Sequence, residues 1–110
     1  MLDTQTVKLA VTTETRPGER RVALVPDVAK KLVGSGWEVC VQAGAGTQAA
    51  FSDKAYTDAG ATVAPDAAAT LSGAGLVVRV NAPSAAEVAA LPDGAALLSF
   101  FGVEIGRAHV

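Results

Sequence analysis

The sequence predicts a three-layer α/β domain, a mostly parallel sheet with helices on both faces. Three observations carry that expectation. Segments of strand and helix character alternate along the chain, five of the first kind and four of the second, which is the order that builds a parallel sheet through crossover connections. Leu76-Val77-Val78-Arg79-Val80 is almost continuously apolar rather than alternating, as in a strand covered on both faces. Half of the 110 residues are apolar but only 5% are aromatic, and the abundance of alanine and glycine suits helices packed closely on a sheet.

The elements follow in order. Val7 to Val11 alternates in part and reads as the first strand. Pro26 suits the first position of a helix that continues from Asp27 to about Val33. In that helix Val28, Ala29, Leu32 and Val33 recur at helical spacing on one face, Asp27 opens the first turn, and Lys30 and Lys31 lie in the last as a solvated face. Gly34-Ser35-Gly36 ends it. Trp37 to Gln42 alternates throughout and is the clearest strand. Ser52 is placed to cap a short helix over Asp53 to Ala59, closed by Gly60. Ala61, Thr62 and Val63 form a short strand, and Pro65 and Asp66 open a helix through Leu71. After the buried strand, Ser84 caps a helix from Ala85 to Ala90, with Glu87 three residues on in the capping-box position. Leu91 to Gly94 is a turn, and Ala95 to Phe101 is the last strand. No repeat, low-complexity segment or linker divides the chain, which reads as one domain.

The stretch around which these elements are organised is Arg16-Pro17-Gly18-Glu19-Arg20-Arg21, followed by apolar Val22 to Val25. Pro17 and Gly18 define a tight turn. Five of the nine lysines and arginines fall between Arg16 and Lys31. Thr12 to Arg16 follow the first strand, where an open α/β sheet lines its ligand crevice, although capping the next element explains them more simply. Arg20, Arg21 and Arg79 are the polar groups of interest. Arg79 lies inside an apolar strand, so its charge needs a counter-ion or a cleft. Ala43-Gly44-Ala45-Gly46-Thr47-Gln48-Ala49 resembles a phosphate-binding glycine turn, but the next helix waits for Ser52 or Asp53 and Asp66 opens a helix instead of ending a strand. The dinucleotide fingerprint is therefore not assigned there.

Composition excludes several functions. A net charge of −2 leaves no basic footprint for nucleic acid. The one cysteine, Cys40, precludes an intramolecular disulfide, reads as a small core residue and fits an intracellular protein. No metal-ligand spacing and no catalytic constellation is present. No apolar run approaches the length of a membrane span, and the first residues lack the regions of a signal peptide. The last seven residues, Glu104 to Val110, resemble a translated sequencing adapter. The authentic domain is expected to occupy residues 1–103 and to be truncated, with residues 104–110 foreign, so that His109 carries no mechanism.

Taken together, Glu14-Thr15, Pro17 to Pro26, Gln42-Ala43-Gly44-Ala45-Gly46 and Val80-Asn81-Ala82-Pro83-Ser84 are similar to the N-terminal domain shared by alanine dehydrogenase and the alpha subunit of the proton-translocating NAD(P) transhydrogenase. The resemblance spans Val7 to Phe101 and implies a Rossmann-like or flavodoxin-like half of a two-domain subunit. In alanine dehydrogenases an arginine, a lysine and a histidine of this domain hold and protonate the keto acid. The arginine matches Arg21, a candidate substrate-binding residue by resemblance. The lysine position holds Asn81 and the histidine position falls on Gly102. That pattern resembles transhydrogenase. The resemblance then implies hydride transfer between NAD(H) and NADP(H) coupled to proton movement, with NAD(H) held by the full-length subunit, NADP(H) by a partner, and no metal. It further implies a homodimer of alpha subunits, a membrane-embedded beta subunit, and a cytoplasmic location peripheral to the inner membrane. The dinucleotide-binding half would follow this segment, so the 110 residues alone are expected to bind NAD weakly and to be inactive. The alternatives are an alanine dehydrogenase-like domain, or a non-catalytic α/β binding module.

Overall fold

The computed structural model describes residues 7–15, 17–81 and 83–99. Its elements are β1 (Lys8–Val11), α1 (Pro26–Gly34), β2 (Glu38–Gln42), a 3-10 turn (Thr47–Ala49), α2 (Asp53–Asp58), β3 (Thr62–Ala64), α3 (Ala67–Leu71), β4 (Leu76–Arg79), α4 (Ala85–Ala89) and β5 (Ala96–Ser99). The five strands form one sheet in the order β3-β2-β1-β4-β5, every pair parallel. Because β1 pairs with both β2 and β4, the winding reverses at the β1–β4 pair. In an open parallel sheet that reversal opens a crevice at the carboxyl ends of the strands.

Alternate residues of each strand feed two cores. Leu9, Val11, Val39, Val41 and Val78 meet Leu24, Ala29 and Tyr56 on one face. Ala10 and Val77 meet Leu71 and Ala74 on the other, with Leu91 and Leu97 alongside. Tyr56 is fully buried and its hydroxyl donates to the Leu24 carbonyl at 2.7 Å, tying α2 to the loop before α1. Burial, reinforced by the Asp53 charge, pushes that phenol up to about 12. Burial likewise raises the Cys40 thiol, as befits a core residue.

The element order agrees with the sequence; the boundaries differ for local reasons. Helix α1 includes Pro26 as its first residue and ends in a Schellman motif, with Trp37 N–H donating to Leu32 O at 3.0 Å and Gly36 N–H to Val33 O at 3.1 Å. Gly36 sits at φ +101°, which only glycine adopts without strain. Trp37 is spent on this cap, so β2 starts at Glu38. The same logic moves β3 one residue on: Ala61 N–H closes α2 on Tyr56 O, and pairing begins at Thr62. Asp66 is the N-cap of α3 rather than its first turn, accepting from Ala69 N–H at 2.8 Å. Both other caps appear as expected, the Ser52 side chain on α2 and a complete capping box from Ser84 and Glu87 on α4.

Val28 is a correction. It does not join the buried face of α1, where Ala29 is buried and Leu32 and Val33 partly so, but is 42% exposed. With Trp37, Leu76 and Leu98 it borders an apolar groove of about 420 Å³. The reason is lateral: α1 and α2 follow the β1-β2-β3 side, and the β4–β5 side of this face has no helix over it among the described residues. Phe100 and Phe101, the expected end of the last strand, lie outside the described residues.

Candidate functional site

The carboxyl ends of β1 and β4 carry a buried ionic network. Arg79, the last residue of β4, is 4% exposed, and each of its nitrogens is engaged. Nε donates to the Asn81 carbonyl at 3.2 Å and Nη1 to Thr12 Oγ1 at 3.1 Å. Its charge is met by Glu14 at 3.4 Å and Glu87 at 3.3 Å. Glu14 is the hub. Besides Arg79, it accepts from the Val80 N–H at 2.8 Å, the Asn81 N–H at 3.2 Å and the Asn81 amide at 3.4 Å. The loop after β1 is thereby stapled to the loop after β4, and two backbone donors leaving the sheet are satisfied.

Asn81 extends the network outward, its Nδ2 donating to Glu19 Oε1 at 2.8 Å. Glu19, whose side chain is only 5% exposed, takes the Arg21 guanidinium in a two-point fork, Nε to Oε2 and Nη2 to Oε1, each 2.8 Å, and also the Arg21 N–H at 2.8 Å. The tight turn at Pro17-Gly18, with Gly18 at φ +80°, precedes Glu19, which reaches Asn81 just past β4. Of the residues singled out by the sequence, Arg21, Arg79, Asn81, Thr12 and Thr15 thus meet in one cluster. Thr15 Oγ1 donates to Glu87 at 3.4 Å. Arg20 is exposed and lines an open polar cleft together with Glu14, Glu19 and Gln48. Arg16 and Gly102 lie outside the described residues. The sequence placed Glu14 after the first strand, Glu19 in the charged loop and Glu87 in a capping box, but assigned none of the three carboxylates to this cluster. The available signal was Arg79 itself, a charge inside an apolar strand that had to be answered by acids following neighbouring strands.

The network lowers the pKa of two of its carboxyls, Glu19 and Glu87. The Arg21 fork, then its N–H, then the Asn81 amide hold Glu19 well below the usual carboxylate range, and Glu19 in turn raises Arg21. Burial alone would raise Glu87, but the Ser84 N–H, the Arg79 charge and the Ser84 and Thr15 hydroxyls outweigh it and the net shift is downward. A carboxyl with a depressed folded-state pKa stabilises the fold above its unfolded value, about 4.3. That contribution drains away as pH falls through the lower folded value. Denaturant midpoints are therefore expected to stay level from neutrality down to about pH 5 and to fall progressively below about pH 4. Equal midpoints at pH 3 and pH 7 would show that the network adds nothing to stability.

The glycine turn after β2 does not fit a dinucleotide. Gly44 N–H, the kind of donor a phosphate would need, is taken by the Asp53 carboxylate at 2.9 Å. Gly46 is glycine for packing, since a Cβ there would stand 2.7 Å from the Tyr56 ring and 2.9 Å from the Phe51 carbonyl. A three-residue 3-10 turn follows instead of an α-helix. No group of metal-binding side chains occurs among the described residues, and none of their helices is long and apolar enough to cross a membrane.

Fold and site define a parallel α/β domain in which an ionic staple ties together the loops that leave β1 and β4 at the switch point. The chain belongs to the alanine dehydrogenase/PNT, N-terminal domain family, which it matches over residues 10–107. It is 47% identical over 106 residues to the first of the parts that make up NAD(P) transhydrogenase subunit alpha in Rhodospirillum rubrum, an alignment covering 92% of this chain and 28% of that relative. It is 44% identical over 94 residues to an alanine dehydrogenase of Halomonas elongata, covering 86% of this chain and 25% of that one. Among solved structures, a transhydrogenase from Sinorhizobium meliloti superimposes with a TM-score of 0.78 at 35% identity, covering 84% of this chain and 27% of the other. The chain therefore spans little more than a quarter of the length of these relatives. The fold and the family expected from the sequence both hold.

Proposed function

We propose that the chain is the N-terminal portion of the NAD(H)-binding alpha subunit of a proton-translocating NAD(P) transhydrogenase. The whole enzyme moves hydride between NADH and NADP+, with NADP(H) on a partner subunit and no metal. The observation that carries the choice over alanine dehydrogenase is the placement of Asn81. Its amide, where the resemblance puts a lysine, bridges Glu19 and Glu14 and supplies no cation. Two arginines and three carboxylates leave the named charges of the cluster at minus one, with Arg21 clasped by Glu19. That is a poor seat for a keto acid, and Arg21 is here a structural ion-pair partner before it is a substrate ligand.

On this reading the subunit forms a homodimer, works with a membrane-embedded beta subunit, and lies on the cytoplasmic side, peripheral to the inner membrane. Residues 1–103 are the native segment and residues 104–110 are foreign; re-reading the locus past the Phe101 codon tests that division. The nicotinamide cofactor is held by the half of the subunit that follows, and the unfit glycine turn supports this. Titrating the 110-residue protein into NADH and following nucleotide fluorescence is expected to give no saturation up to about 1 mM, a binding free energy weaker than about −4 kcal/mol. Micromolar binding would overturn the assignment of the cofactor to the following half.

A further inference from the structure

We draw no further inference here: the strongest candidate, the apolar groove bordered by Val28, Trp37, Leu76 and Leu98 on the face of the sheet that carries α1, is an unpartnered surface over β4 and β5, and nothing in the structure shows what covers it.

Discussion

Replacing Glu14 with alanine is expected to destabilise the protein by about 3 kcal/mol, the cost of taking one of two carboxylates from the buried Arg79 charge and the acceptor from two backbone donors. Glu14 and Arg79 side chains are each 5% exposed, so water cannot take over the lost contacts. The change also removes the carboxylate to which the Val80 and Asn81 backbone N–H groups donate. For a domain of this size the thermal midpoint should fall by roughly 15 °C. Glu14→Gln keeps one oxygen acceptor and the shape but loses the charge, and should cost less than the alanine variant. Thermal unfolding followed by circular dichroism checks both. A loss under about 1 kcal/mol for Glu14→Ala would mean that Glu87 alone neutralises Arg79 and that the staple is decorative.

Asn81→Lys is expected to have the largest effect on ligand recognition. Residue 81 is 4% exposed and its side chain lies between two carboxylates, so an ammonium there is paired on arrival and brings the named charges of the cluster to zero. Glu19 would then divide its acceptors between the new cation and Arg21, loosening the clasp on a guanidinium that is already 55% exposed. Pyruvate binding, read by amide shifts, should tighten at least about tenfold relative to the unchanged protein, while the thermal midpoint stays within a few degrees. Pyruvate affinity left where it was would show that Asn81 does not set the anion preference of this site.

The fold was legible because its signals are local. Capping residues Ser52 and Ser84, the turn glycines and the apolar run of β4 each act within a few positions, and their order dictates a parallel sheet. Boundaries slipped where a residue that looks strand-like, Trp37 or Ala61, is consumed by the end of the preceding helix. Val28 slipped for a different reason: helical spacing gives a stripe, but which part of the stripe is covered depends on which strands the helix lies over. The site was half legible. Arg79 announced that acids must approach it, yet Glu14 and Glu87 reach it from 65 positions earlier in the sequence and from a helix cap that already explained Glu87. Glu19 was hidden in the same way, as one more charge in a loop rich in them. The glycine turn shows the converse, since a pattern that suggests phosphate binding is here fully occupied by Asp53 and Tyr56.

Membership of a transhydrogenase is tested most directly by a chimera. Residues 7–99 replace the matching segment of the Rhodospirillum rubrum transhydrogenase alpha relative, with which the chain shares 47% identity. The assembled enzyme is assayed for hydride transfer between NADH and NADP+, and separately for oxidation of NADH with pyruvate and ammonium. Hydride transfer is expected within about tenfold of the parent, a barrier change under about 1.4 kcal/mol, with no turnover of pyruvate. A folded chimera that reductively aminates pyruvate, or that no longer transfers hydride, would contradict the assignment.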